Sequence, residues 1–184
     1  MMIRLVGWLL AAPMLATAVS ATSLAAAPPD RRNWFDDPFF ALSNDIAGCP
    51  LPLGPLVTET EALAQTHHRL ERGTRCHLEG RCRHPSSFDY DREIAADIRA
   101  KAKRIAPSPS TLWILVQGRR VWAYGCVAAN YRRGDIERAL RRIADVELAM
   151  EEVRVGARGS VPYTLAGPRG ASSAGETPRQ GVRP

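Results

Sequence analysis

Apolar residues recur along this chain with two different periods, and the changes of period mark its elements. Between Asp91 and Ile105, the residues Ile94, Ala95, Ile98, Ala102 and Ile105 follow three- and four-residue spacing, while Arg99, Lys101, Lys103 and Arg104 fall largely off that stripe. Such spacing predicts an amphipathic helix with one buried face. Pro107 and Pro109 stop it. Residues 111–117 then run through Leu112, Trp113, Ile114, Leu115 and Val116, and residues 121–127 continue with β-branched and aromatic residues after Gly118-Arg119-Arg120. Two strands with a short glycine-containing connection predict a hairpin. Ile136, Ala139, Leu140, Ile143 and Ala144 form a second helical stripe, with Asp135 placed to cap it and Arg138, Arg141 and Arg142 on the exposed side. Val153-Arg154-Val155 supplies a short third strand. The predicted fold class is α+β, in the order helix, strand, strand, helix, strand, with the helices on one face of a small sheet.

The flanks are patterned differently. Residues 28–90 are dense in Pro, Cys and His, and the one helix predicted there covers residues 58–72. Thr58 and Glu61 form a capping box at its start, Leu63, Thr66, His67 and Leu70 fall near one face, and Gly73 ends it. Beyond Gly156 the chain is Gly, Pro, Ser and Arg with few hydrophobic residues, so 156–184 is expected to be a disordered tail. At the other end, Arg4 precedes an uncharged stretch that closes on Ala25-Ala26-Ala27, the pattern of a signal peptide over residues 1–27, with Val19-Ser20-Ala21 as an earlier cleavage site. An uncleaved anchor is the rival reading, because the stretch from Leu5 to Pro29 has the length to span a bilayer. Pro13 and the small-residue ending favour cleavage. The expected location is therefore outside the cytoplasm, most simply the bacterial periplasm.

Composition narrows the function classes. With 184 residues, 45% of them hydrophobic, there is room for one domain with its own core. A formal charge of +6 is too weak to indicate nucleic-acid binding. Four cysteines, in an exported chain, point to disulfides. Cys76 and Cys82, with His67, His68, His77 and His84 nearby, also contain enough ligands for zinc, but the five-residue gap between the thiols is not that of a zinc knuckle. Of the three possible connectivities, a local clip between Cys76 and Cys82 with Cys49 bonded to Cys126 is preferred. No phosphate loop, nucleophile elbow, haem-attachment motif or metalloprotease helix is present, and no cofactor is expected. Asp89, Asp91 and Glu93 lack the glycine and terminal glutamate of a calcium loop and suit a helix N-terminus instead. Trp113 and Trp122 fall on the two hairpin strands, to pack a sheet face or, less commonly, to form a stacking platform for a ligand.

Residues 91–155 resemble a BON domain, the module named for bacterial osmotically induced and nodulation proteins. The resemblance rests on the aspartate-led helix at Asp91, on Ile114, Val116, Gly118, Val121, Ala123, Gly125 and Val127 in hairpin order, and on the helix and strand that follow Ile136. Asp145-Val146 stands where the family usually has Gly-Val. The resemblance implies a non-enzymatic, periplasmic or envelope-associated binding module, several of whose relatives contact phospholipid. Arg99, Lys101, Lys103, Arg104, Arg138, Arg141 and Arg142 are the candidates for meeting anionic headgroups. The other reading of these seven is an ordinary solvated helix face. A second functional expectation is an assembly protein whose 28–90 extension docks an envelope or secreted partner.

Overall fold

The structure is a computed structural model that describes residues 30–167. The signal-like segment and the last seventeen residues of the expected tail, 168–184, lie outside the described residues.

Four strands form one mixed sheet in sequence order. The hairpin is β2 (Ser110–Gln117) with β3 (Arg120–Val127), flanked by β1 (Phe39–Asn44) beside β2 and β4 (Leu148–Val155) beside β3. β1 and β3 are antiparallel to β2, and β4 is parallel to β3. A parallel neighbour requires a crossover, which the segment containing α5 (Asp135–Leu140; the helices before it are introduced below) provides. The hairpin turn is only Gly118 and Arg119, with φ of 61° and 64°. Two positive φ angles in succession are what a two-residue turn needs to match strand twist. Gly125 has a different necessity: a Cβ there would lie 2.0 Å from the Thr111 carbonyl oxygen on the neighbouring strand.

Three of the helices cover one face of the sheet. α3 (Asp91–Ala100) and α4 (Ala102–Ile105), together with α5, bury Ile94, Ile98, Ile105, Ile136 and Leu140 against Leu112, Ile114, Val116 and Val121. The predicted stripe of residues 91–105 is thus observed, although the helix breaks at Lys101 (φ −103°, ψ 13°). The second helix is shorter than its stripe, because α5 ends at Leu140 and Ile143 is buried from the turn that follows. Asp135 does not cap it. Gly134 holds the N-cap position, and the Glu151 carboxylate of β4 accepts from the N–H groups of Gly134 and Glu137. Asp135 pairs with Arg138 instead.

The flanking segments are more ordered than their composition suggests. The extension supplies β1, α1 (Glu59–Glu71) and α2 (Thr74–Leu78) as well as a single 3₁₀ turn, Ser87–Tyr90, so it is part of the sheet rather than an appendage with one helix. Phe39-Phe40-Ala41-Leu42 provides four apolar residues in a row, and Phe40 and Leu42 pack on the helix-side core. Residues 156–167 are likewise not the disordered tail expected. Leu53 N–H donates to Thr164 O (2.8 Å) and Ala166 N–H to Leu51 O (2.9 Å), while the Tyr163 ring, buried, stands edge-on to Tyr124 at 5.6 Å. Together the two segments cover part of the sheet face opposite the helices.

Candidate functional site

The seven basic candidates lie on the helix layer, and most are already engaged. The Arg99 guanidinium sits 3.7 Å over the Phe40 ring. Lys101 pairs with Asp97, Arg138 with Asp135 and Arg141 with Glu137. Lys103, Arg104 and Arg142 are exposed and have no carboxylate partner among the described residues. Lys103 and Arg104 are on α4, which packs against α5, and Arg142 lies two residues past the end of α5.

The cysteines are bonded in two pairs. Cys49 joins Cys126 across 77 positions, and Cys76 joins Cys82 across 6. Cys126 is buried on β3, on the face away from the helices, so its partner draws the extension over that face. Thr111 fastens the same loop: its hydroxyl accepts from Ile46 N–H (2.8 Å) and donates to Ile46 O (3.1 Å). The second pair lines a cleft of about 350 Å³ with Arg72, Arg75, Arg81 and Arg119, but each of these arginines meets a carboxylate, Glu79 or Glu147. With their sulfurs bonded to each other, Cys76 and Cys82 are not free thiolate ligands, and no group of three or more metal-binding side chains is assembled among the described residues. His67 and His68 are exposed on α1.

Buried charge is concentrated at the hairpin-turn end. Asp91 is 2% exposed and accepts from Gly118 N–H (2.6 Å) and Arg119 N–H (2.8 Å), which holds the turn against the start of α3. Burial pushes its pKa up to about 6, against the pull of those two N–H groups. Asp37, also buried, binds both arms of Arg69 and accepts from Gln117 Nε2 (2.6 Å). The Arg69 guanidinium lies between the rings of Phe35 and Phe88, each at 3.9 Å. Nothing in the local sequence pattern signals this cluster, since its members come from four separate segments.

Arg69, Phe88 and Gln117 of that cluster also line a groove between α1 and the outer face of the hairpin. The groove has a volume of about 280 Å³. Its walls are Gln65 and His68 of α1, with Arg72 at the C-cap, against Gln117, Arg120 and Trp122 of the hairpin. Trp122 is half-buried there, opposite Leu115 on β2 and Met150 on β4. Trp113 shares its sheet face but is paired with Tyr124. Arg72 reaches Glu147 (2.8 Å) and Gly118 O (3.2 Å), whereas Arg120 has no ion pair or side-chain hydrogen bond among the described residues. No carboxylate lines the groove.

α1 reaches this position by a rotation that its apolar pattern does not foretell. The capping box forms as expected, with Thr58 N–H donating to Glu61 (2.7 Å) and Glu61 N–H to the Thr58 hydroxyl (3.3 Å). Yet Leu63 and Leu70 are 69% and 72% exposed, and Ala62 is the buried residue. The face chosen from Leu63, Thr66, His67 and Leu70 is therefore the wrong one: Arg69, clamped by Asp37 and two aromatic rings, fixes which side turns inward. No family model matches the chain, and neither the curated proteins nor the solved structures provide a match.

Proposed function

We propose that this chain is an exported, BON-like binding module of the bacterial envelope, without a catalytic centre, that meets anionic phospholipid through its helix layer. The observation that carries the lipid reading is that Lys103 and Arg104 on α4 and Arg142 just past α5 are exposed and without carboxylate partners among the described residues. Each cation brought near an anionic bilayer contributes on the order of 1 kcal/mol, and only cations not already neutralised contribute in full. Export is supported by the signal-like first 27 residues and by two cysteine pairs at bonding distance. No helix among the described residues is long and apolar enough to cross a membrane. One contact and one backbone angle favour the BON-like reading. The helix-leading Asp91 grips the turn glycine, Gly118, and Asp145 adopts φ of 64° at the position where the family usually has glycine.

Flotation with vesicles tests the lipid reading. The protein is expected to float with vesicles containing phosphatidylglycerol, to be released by salt, and to lose binding when Lys103, Arg104 and Arg142 are all changed to Gln. Equal binding to neutral and anionic vesicles, or none to either, sinks it.

A second reading has its own support: Leu63 and Leu70 on α1, and Leu78 on α2, are exposed apolar side chains of the extension that a protein partner could cover. Here the extension docks an envelope or secreted protein and the rest of the domain serves as scaffold. Because β1 and Cys49 belong to the fold, the test uses point changes rather than deletion. A partner cross-linked in the periplasm by the wild-type protein and lost with Leu63→Ser and Leu70→Ser supports docking; an unchanged cross-link pattern rejects it.

A further inference from the structure

From its lining, we infer that the groove between α1 and the hairpin is a binding site for a saccharide unit that carries one carboxylate. Four features of the groove define what it accepts. First, the guanidinium of Arg120, without a partner among the described residues, is half-buried and faces a lining without carboxylates, which selects a single negative charge. Arg69 and Arg72 are already matched by Asp37 and Glu147, so a dianion would find too little compensation. Arginine suits a carboxylate because its planar fork presents two parallel donors.

Second, the groove contains acceptors that need donors from the ligand. Gln117 commits its Nε2 to Asp37, which leaves its amide oxygen free, and the Gln65 amide stands on the opposite wall without a partner among the described residues. A simple aromatic acid has no hydroxyl or amide hydrogens to offer them; a sugar ring has several. Third, Trp122 presents an indole to the groove, a flat apolar surface for the apolar face of a pyranose. Fourth, a volume of about 280 Å³ matches one sugar unit rather than a chain of several. This site lies on the sheet face away from the helix layer, so it is independent of the lipid-binding reading and stands or falls separately.

The test uses the oxidised protein and follows the Trp122 indole N–H by nuclear magnetic resonance. N-acetylmuramic acid and N-acetylglucosamine make a suitable pair, since they differ by the ether-linked group that carries the carboxylate. The acid is expected to bind saturably in the millimolar range and about tenfold more tightly than the neutral sugar. Arg120→Gln should erase most of that difference, while Gln65→Ala on the other wall should weaken both sugars. Arg142→Gln, on the helix layer, should change neither. Equal affinity for the two sugars, absence of saturable binding up to about 20 mM, or tighter binding of 5′-AMP or inorganic phosphate overturns the inference.

Discussion

Asp91 shows how a single residue can be recognised in a sequence for one property and be used for another. An acid at the start of a helix is expected from the helix dipole, yet this carboxylate spends both oxygens on the N–H groups of Gly118 and Arg119, far along the chain. Burial raises its pKa to about 6 from the ordinary 3.8, so between those values the folded protein holds a proton that the unfolded chain has released. The stabilising contribution of this group is therefore fully present below pH 3.8 and is lost as pH rises through about 6. Urea unfolding of wild type and Asp91→Asn, each at pH 4.5 and pH 7.5, isolates it: the wild type should lose about 2 kcal/mol more than the variant between the two pH values. Parallel losses in both proteins would remove Asp91 as the titrating group. The Asp37–Arg69 pair was illegible for the same reason as the Asp91 contact. Its meaning comes from Phe35, Phe88 and Gln117, which only the fold brings together.

At the level of elements, legibility followed the strength of the periodic signal. α3 was readable because Ile94, Ala95 and Ile98 all face one core, and the hairpin because apolar runs flank a glycine turn. β1 was not, since Phe39-Phe40-Ala41-Leu42 is too short to distinguish a strand from a buried turn of helix. On α1 the cap was legible and the inward face was not, because a buried ion pair overrode a weak apolar stripe. Stability measurements should reproduce this difference. Leu63→Ser and Leu70→Ser, at exposed positions, are each expected to shift the unfolding free energy by no more than about 0.5 kcal/mol, whereas Ile98→Ala should cost about 2–5 kcal/mol. A large loss at Leu63 would place that side chain in a packed interface.

For the molecule as a whole, the two disulfides divide the work unequally. Chain-entropy arguments give about 4–5 kcal/mol for a loop closed across 77 positions and about 2 kcal/mol for one closed across 6. Thermal unfolding without reductant should therefore find Cys126→Ser distinctly less stable than Cys82→Ser; equal melting temperatures would mean that unfolded-state entropy is not what the longer bond contributes. The groove itself was only partly legible. Trp122 stood out as a hairpin aromatic, but Gln65 and His68 come from a distant helix and nothing in the pattern marks Arg120, on the same strand, as their partner. The order of the cysteines also bears on how the protein matures. In a chain that crosses a membrane amino end first, Cys49 arrives well before β3 delivers Cys126, and Cys76 is the first thiol to follow it. An oxidant that joins cysteines as they emerge would couple Cys49 to Cys76, so the native pattern demands either an isomerase or an oxidation step that waits for the hairpin.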